Sequence, residues 1–456
     1  MSEKLKNNLS DFHKNLHFPG NSKLGYNNPE NQLRTAFLYS FDKCTWYHHF
    51  PEDLSIDKNN SEENKITYLA NSKYHGLSYI TLEQDFPTII LKTPKENTNI
   101  IKYEGKWCKN VGSNIVQKLE TNFLDNELPT LTPTYFDSFA EAMMTKNERE
   151  QYYQEINYSE DFSVVTPSHT TIFHIPIFYS LFQNTYFPLY LCGYNNVLKH
   201  IVTLKRNISE LYQIQAIYQD GSRENIPVSR KTVESIGNIK YTKDNEKDIL
   251  LLPLPKLKGE YFNFTPEEYG YMINNRPKSY FFNDIKYFQT KESKKFGEIL
   301  SLDIPKDFFP HTYIWVAKNQ KGFSNYQAGN YSPSSETIIT LSDDTSKTLN
   351  YLETQRRHPY KHFSSQPSQP GFNYWTNGMR ARDNFPIPEI AISKIDLKLE
   401  DINPYTKITH DLNQLSNDDT FLLEALLIYT KKITFESFPK TEEERKTISS
   451  KVNISF

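Results

Sequence analysis

The sequence has few cysteines. Its 456 residues include only three, Cys44, Cys108 and Cys192, and these are far apart. Three separated cysteines form neither the disulfide framework of a small secreted domain nor a CxxC metal knuckle. We therefore expect the chain to be made in a reducing, intracellular compartment.

Long apolar runs are also missing. No segment offers the ~20 predominantly apolar residues that a membrane-spanning helix needs, and the start, MSEKLKNNLSDFHKNLHF, lacks the apolar centre of a signal peptide. The apolar segment at 174–197, HIPIFYSLFQNTYFPLYLCGYNNV, contains Pro176 and Pro188, which would break a continuous helix. We interpret it as two strands joined by a short polar turn, with each proline near a strand end.

The charge has no strong bias towards one sign. Lysine and arginine together number 52 and aspartate and glutamate 55, which gives a net charge of -3 at pH 7. A protein that binds nucleic acid through its phosphates needs a clustered basic surface. We therefore expect no direct contact with nucleic acid.

Motifs for catalysis are missing as well. The sequence contains no GxSxG, GxxxxGK[ST] or HExxH pattern. His358 and His362 have the spacing of two zinc ligands on a helix, but Pro359 disfavours a helix there, and we interpret them as part of a solvated loop. The acidic cluster at 442–444 is interpreted as solvated surface. We predict no catalytic residue, no cofactor, no metal and no small-molecule substrate.

Aromatic residues, in contrast, are abundant. The chain has 31 tyrosines and 30 phenylalanines, residues that favour the half-buried surface of a sheet. Strand-like runs recur at short intervals, at 65–70, 77–83, 88–93, 311–319, 336–342, 389–400 and 422–437. In the run 389–400, Ile395, Leu397 and Leu399 alternate with charged residues, which indicates a strand with one wet face. We predict an all-β fold with two large sandwiches.

Two helices are predicted within this β-rich chain. Ser138 and Glu141 have the spacing of a capping box, so we expect a helix beginning near Asp137. The stretch TPEE, beginning at Thr265, combines an N-cap, a proline in the first turn and a closing glutamate, and it predicts a short second helix.

Several segments match a known pattern in the order in which they follow along the chain. They are FDSFAEAMMTKNEREQYYQEIN at 136–157, HIPIFYSLFQNTYFPLYLCGYNNVLKHIVTLKR at 174–206, GEYFNFTPEEYGYMINN at 259–275 and HTYIWVAKN at 311–319. The second combines two proline-bearing apolar runs, a Tyr-Asn pair with a valine, and an alternating strand. With these segments the chain resembles the double jelly-roll major capsid proteins of nucleocytoplasmic large DNA viruses, over roughly residues 30–440.

The resemblance implies a fold and a role. The fold would be two tandem eight-stranded jelly-roll β-sandwiches with short helices in the loops. The role would be structural and not enzymatic: homotrimeric capsomers of pseudo-hexagonal outline that pave the icosahedral capsid of a virion. The implied partners are other copies of the chain, neighbouring capsomers and minor capsid proteins, with any inner membrane contacted indirectly. Synthesis would take place in the host cytoplasm.

Two alternatives remain open from the sequence. A minor, penton-like or scaffolding protein would have the same double jelly-roll fold. An intracellular carbohydrate-binding or cupin-like sandwich belongs to a different class, and it would need a ligand pocket and usually a His-x-His plus Glu metal set.

We predict four segments along the chain: a flexible N-terminal arm at 1–24, a first jelly roll at 25–215, a connection with a local insertion at 216–247, and a second jelly roll at 248–456. In the family that the chain resembles, the segment before the first strand lies at the inner face of the capsomer. We therefore hypothesise that the arm is dispensable for the trimer but needed to build closed shells.

Overall fold

The computed structural model describes residues 49–96, 98–108, 110–124, 126–155, 171–176, 187–195, 197–240, 250–274, 279–295, 297–305, 310–319, 331–332, 334–368, 371–377, 391–399 and 420–455. The predicted arm at 1–24 and Cys44 lie outside these residues. Cys108 and Cys192 are buried free thiols. Within the described ranges, none of the helices has the length and apolar character of a transmembrane span.

Strands dominate the structure, and the predicted all-β fold is confirmed. The strands before residue 263 are β1 His49–Asp53, β2 Ser55–Ile56, β3 Lys65–Leu69, β4 Gly76–Phe86, β5 Thr88–Leu91, β6 Ile100–Trp107, β7 Val116–Phe123, β8 Asn126–Glu127, β9 Thr171–Pro176, β10 Leu198–Leu204, β11 Tyr212–Tyr218, β12 Arg223–Ile226, β13 Gly237–Lys240 and β14 Lys256–Phe262. The later strands are β15 Ser279–Gln289, β16 Lys294–Lys295, β17 Ile299–Asp303, β18 Thr312–Asn319, β19 Tyr331–Ser332, β20 Glu336–Leu341, β21 Ser346–Asn350, β22 Asn373–Thr376, β23 Ile392–Lys398, β24 Thr420–Ser437 and β25 Lys451–Ser455.

The helices are short and lie between strands. They are α1 Val111–Ile115, α2 Pro133–Ala142, α3 Lys146–Glu155, α4 Ile208–Leu211, α5 Arg230–Ile236, α6 Pro266–Asn274, α7 His358–His362 and α8 Glu442–Arg445. Two 3₁₀ turns, Lys58–Asn60 and Leu189–Leu191, and one π-helical turn, Glu353–Arg357, complete the list.

The first sandwich is built from two antiparallel sheets. One has the strand order β1-β14-β4-β9 and the other β2-β3-β10-β7-β8. Buried side chains of both sheets, such as Leu82 of the first and Val202 of the second, belong to one hydrophobic core. Phe123 packs edge-on against Phe187 inside it, with ring centroids 5.0 Å apart. Two smaller sheets, β12-β11-β6 and β13-β5, belong to the same half of the chain.

Strand β14 pairs with strands from the first half of the chain. The prediction begins the second jelly roll at 248, yet β14 pairs with β1 on one side and β4 on the other. The predicted connection at 216–247 likewise contains β12 and β13, which pair with β11 and β5. Strands β12, β13 and β14 therefore share their sheets with earlier strands of the chain.

The second sandwich also has two sheets. Its outer sheet has the order β17-β23-β20-β21. Its other sheet, which we call the central sheet, has the order β15-β24-β18-β19, and β16, β22 and β25 pair onto β24 or β18. The predicted alternation in β23 is confirmed, because Ile395 and Leu397 are fully buried whereas Asp396 and Lys398 are partly exposed.

The middle of the central sheet, formed by β18 and the first half of β24, is buried on both of its faces. On one face Trp315 and Leu427 pack into the core shared with the outer sheet. On the opposite face Ile314 and Leu426 pack into the larger core that also contains the first sandwich. A sheet covered on both faces needs apolar residues at successive positions, which explains the nearly continuous apolar runs of β18 and β24.

Helix α2 begins earlier than the sequence predicted. Its N-cap is Thr132, whose Oγ1 accepts a hydrogen bond from the Tyr135 N–H at 3.4 Å, and Pro133 occupies the first turn. The predicted start near Asp137 is wrong because the Thr-Pro pair already supplies a cap and a residue preset for the helical backbone.

Capping boxes are present at α6 and α3. At α6 the Thr265 N–H donates to Glu268 Oε2 at 3.0 Å and the Glu268 N–H donates to Thr265 Oγ1 at 3.3 Å, which confirms the predicted second helix. At α3 the Thr145 N–H donates to Glu148 Oε2 at 2.6 Å. This second box was not predicted from the sequence.

The proline-bearing segment at 174–197 is only partly as predicted. Strand β9 ends at Pro176 and pairs with β4, so the first proline lies at a strand end as expected. The second run is not a strand: Phe187 forms a single bridge with Leu77, and Pro188 leads directly into the 3₁₀ turn Leu189–Leu191. Pro188 has no N–H to continue a ladder, which favours the turn. Residues 177–186 and 196 lie outside the described residues.

The doubly buried central sheet leads to a test with two neighbouring residues. We expect Leu426→Ala and Leu427→Ala each to lower the free energy of unfolding by about 2–5 kcal/mol, because each leaves a cavity in a different core. Ile299→Ala, at a position 52% exposed on the outer sheet, should cost less than about 1 kcal/mol. Chemical denaturation measures all three, and a neutral result for either leucine would contradict burial of that face.

Candidate functional site at the junction of the two sandwiches

Helix α2 lies at the junction of the two sandwiches and is buried on every side. All ten of its residues, Pro133–Ala142, are buried, including the ionisable Asp137 and Glu141. A helix at a protein surface normally keeps one polar face in water. Because α2 has no such face, its polar groups depend on partners in the protein.

Asp137 receives hydrogen bonds from both halves of the chain. From the first half, Asn110 Nδ2 and Ser113 Oγ donate to its Oδ1 at 2.9 and 2.8 Å. From the second half, the Tyr331 hydroxyl donates to its Oδ2 at 2.7 Å. Burial raises the pKa of Asp137 to about 6, and the hydrogen bonds from Tyr331 and Ser113 limit that rise.

Glu141, one turn further along α2, is held by a cation and a backbone donor. Its Oε2 lies 3.4 Å from Arg149 Nη1 and accepts the Ser368 N–H at 2.5 Å. The Tyr153 hydroxyl also donates to this carboxylate. Arg149 in turn donates to the main-chain oxygen of Gln366 at 2.9 Å. These bonds fix the loop at 365–368 of the second half against α2 and α3.

Glu424 of the central sheet makes the third polar contact with α2. It accepts a hydrogen bond from the Thr134 hydroxyl, and its Oε2 lies 3.8 Å from Lys318 Nζ. The Tyr374 hydroxyl donates to the Ser138 main-chain oxygen at 2.9 Å. The junction therefore places a set of polar contacts inside the core that the two sandwiches share, with donors and acceptors divided between the two sandwiches.

A second buried contact joins the segment around α8 to the first sandwich. The Arg445 side chain is fully buried. It donates to the main-chain oxygens of Ser72, Tyr74 and Cys192 at 2.6, 2.8 and 3.3 Å. Its Nη1 lies 3.1 Å from Glu442 Oε1, which compensates the buried charge. We call this set of contacts the Arg445 clamp.

Glu442 connects the Arg445 clamp to two further side chains of the first sandwich. Its Oε2 lies 3.1 Å from His75 Nε2, and the Tyr194 hydroxyl donates to its Oε1 at 2.5 Å. The Phe264 N–H donates to His75 Nδ1 at 2.7 Å, so the Nε2 atom carries the histidine proton. Burial lowers the pKa of His75, while the Glu442 carboxylate opposes that effect. The Glu442 side chain is still 45% exposed, so it lies at the edge of the acidic surface predicted at 442–444 while it binds Arg445 and His75.

The histidine pair in the second half is not in a loop. His358 and His362 lie in α7, which continues without a break from the π-helical turn Glu353–Arg357, so the prediction of a loop is wrong. A π turn uses i→i+5 hydrogen bonds, so the regular α-helical pattern is already interrupted directly before Pro359. The Thr376 N–H donates to His358 Nε2 at 2.8 Å, and the ring stacks on Trp375 with centroids 4.4 Å apart. In the described part of the chain, no three His, Cys, Asp or Glu side chains are grouped as a metal site would need.

The burial and the pairing of Glu141 and Glu424 were not predicted from the sequence. Both residues stand inside largely buried apolar runs, FAEAMM and FLLEALLIY. A charged residue within such a run is the signal that could have found them, since burial of a charge requires a partner. Arg445 lies in the acidic stretch EEER, which gives no comparable signal.

Comparison of the whole chain with solved structures finds viral capsid proteins of similar fold. The PBCV-1 protein VP54 superposes with a TM-score of 0.60 over 90% of this chain and 97% of its own, at 12% sequence identity. A chain of the PBCV-1 virus capsid gives a TM-score of 0.58 over 84% and 94%, at 12% identity. The Faustovirus major capsid protein gives 0.55 over 84% and 90%, at 6% identity.

These neighbours define the fold class. The chain has the double jelly-roll fold of viral major capsid proteins, as the resemblance implied. Sequence comparison alone does not reach this result: no protein-family model matches the chain, and no curated protein is detectably similar. At identities of 6–12% the likeness is one of structure.

The Arg445 clamp gives a prediction for stability. We expect Arg445→Met to lower the free energy of unfolding by about 3–5 kcal/mol, because it removes the donor to the buried carbonyl oxygens of Ser72, Tyr74 and Cys192 and the cation beside Glu442. Lys446→Met, at the exposed neighbouring position, should change it by no more than about 0.5 kcal/mol. Denaturant unfolding of both variants measures the difference, and equal stabilities would refute the clamp.

Proposed function

We propose that the chain is a capsid subunit that forms homotrimers of pseudo-hexagonal outline, which pave an icosahedral shell. The observation that carries this proposal is the double jelly-roll fold, which matches chains of viral capsids over 84–90% of its length. The proposed role is structural and involves no catalysis.

The junction of the two sandwiches supports this role. A tile must keep its outline when neighbouring tiles press on it. Here the two sandwiches share one hydrophobic core, and the buried helix α2 accepts hydrogen bonds from both of them. Three such rigid two-sandwich units around a three-fold axis present six sandwiches, and six similar bodies in a ring give a nearly hexagonal outline.

We also propose the division of the chain that this assembly uses. The first jelly roll would extend through β14 at Phe262, and the second would begin at β15 with Ser279, because β14 pairs only with strands of the first half. Helix α6, at Pro266–Asn274, would then lie in the link between the two jelly rolls.

The trimer can be tested by size and shape. We expect the purified 53.6 kDa chain to run as a particle of about 160 kDa and to appear three-fold with a nearly hexagonal outline by negative-stain imaging. An obligate interface of well over ~2,000 Å² should keep the trimer intact at nanomolar concentration. Mass photometry measures this directly. Five-fold particles would favour a penton-like role, and folded monomers would favour a scaffolding or ligand-binding role.

The N-terminal arm gives a separate test of shell assembly. We propose that residues 1–24 order against a partner, such as a minor capsid protein, when the shell is built. Deleting residues 2–24 should leave the yield of trimer unchanged but reduce closed shells in infected or co-expressing cells, counted by electron microscopy. Normal shells from the shortened chain would remove this role, and loss of the trimer would show that the arm belongs to the folded core.

A further inference from the structure

Asp137 is the carboxylate at the junction that lacks a close cationic partner. Within the described residues, its hydrogen bonds come from an amide and two hydroxyls, all of them neutral groups. Glu141, on the same helix, has Arg149 at 3.4 Å, and Glu424 has Lys318 at 3.8 Å. A buried carboxylate without a cation favours its protonated form.

The groups around Asp137 can also accept the proton of a neutral carboxyl. Ser113 Oγ lies 2.8 Å from Asp137 Oδ1 and 3.0 Å from the main-chain oxygen of Asn110. A hydroxyl has one hydrogen and can also accept. When Asp137 is charged, Ser113 donates to it. When Asp137 is protonated, Asp137 donates to Ser113, and Ser113 turns its hydrogen to the Asn110 oxygen. Both states are therefore satisfied without any movement of heavy atoms.

We propose that Asp137 is a proton-binding latch between the two sandwiches: the junction around α2 takes up one proton in mildly acidic solution and is held more tightly in that state. The latch adds a regulatory property to the chain that is independent of its proposed role in a capsid. Tyr331, from the second half, and Ser113, from the first, bind the two oxygens of the Asp137 carboxyl group. The protonation state of Asp137 therefore affects the contact between the two sandwiches.

The surrounding ionisable groups set the conditions of a test. Those that interact with Asp137 from the packed elements are Cys108, Lys318, Tyr331 and Tyr374. Burial raises the pKa of Cys108 to about 12 and that of both tyrosines above its usual range, so these three stay neutral in acid. Glu424, beside Lys318, acts electrostatically on Tyr331.

Lys205 is a nearby group whose titration must not overlap with the measurement. It interacts electrostatically with Lys318, Glu424 and Cys108, and burial lowers its pKa to about 7. Its depressed pKa makes the fold gain stability as pH rises above about 7, the opposite direction to Asp137. Measurements between pH 4 and 6.5 therefore separate the two groups.

The raised pKa of Asp137 determines whether the junction gains or loses stability as pH falls. Between the usual value of 3.8 and about 6, the folded protein holds a proton that the unfolded chain has released. The junction therefore becomes more stable as pH falls through this range, and the opening constant should fall by up to about tenfold per pH unit, or about 100-fold in all. Burial lowers the pKa of His311 and of His358 to about 4, so these histidines make the fold less stable as pH falls through the same range. The contribution of Asp137 is therefore obtained by comparing the wild type with a variant that lacks this carboxylate.

The test is hydrogen–deuterium exchange of the α2 amides in the full-length chain, corrected for intrinsic exchange rates, at pH 4 to 6.5. We expect the opening constant of the wild type, divided by that of Asp137→Asn, to fall by up to about 100-fold from pH 6.5 to pH 4. Asp343→Asn, in an exposed turn where hydrogen bonds lower the carboxyl pKa, should leave the wild-type profile unchanged across this range. A ratio that stays constant with pH would overturn the latch.

A second variant covers the case in which Asp137→Asn does not fold. Tyr331→Phe removes a hydroxyl that favours the charged carboxylate, so it should move the midpoint of the wild-type transition to higher pH. The aromatic ring and its packing against Phe372 are kept. An unchanged midpoint in Tyr331→Phe would overturn the proposal independently.

Discussion

The fold depends on the burial of one helix between two β-sandwiches. Helix α2 brings two carboxylates, Asp137 and Glu141, into a layer from which water is excluded, and each must find its donors in protein groups. Those donors come from both halves of the chain: Ser113 from one side, Tyr331 and Ser368 from the other. Separating the sandwiches would leave these groups unpaired, so the polar layer specifies one relative placement where apolar contact alone would tolerate sliding.

The same constraint explains why the central sheet differs from the outer one. The outer sheet alternates buried and partly exposed residues along β23, because one of its faces meets water. The central sheet serves two cores, and every residue of β18 is buried. Lys318 and Glu424, the two charged residues within its apolar runs, pair with each other and with Thr134 of α2. The central sheet thus contributes side chains to the core of the second sandwich on one face and to the junction with the first sandwich on the other.

Local signals predicted the elements of this structure better than their assembly. The alternation at Ile395 and Leu397 and the capping box at Thr265 report short-range geometry, and both were read correctly from the sequence. The start of α2 was misplaced because two capping patterns lie six residues apart, and only the one at Thr132 is used. The donors of Asp137 and the main-chain acceptors of Arg445 lie between 24 and 373 residues away, and no local pattern specifies such pairs.

The Arg445 clamp also sets an order of events during synthesis. The loop at Ser72 and the turn ending at Cys192 leave the ribosome 373 and 253 residues before Arg445 does. Translation adds ~5–20 residues per second, so Arg445 is synthesised tens of seconds after the backbone oxygens to which it donates. The first sandwich therefore cannot reach its final form while the second is still being translated, although most of its strands are already complete. The two jelly rolls are sequential in the gene but finish folding together, which makes the late segment around α8 the closing step of both.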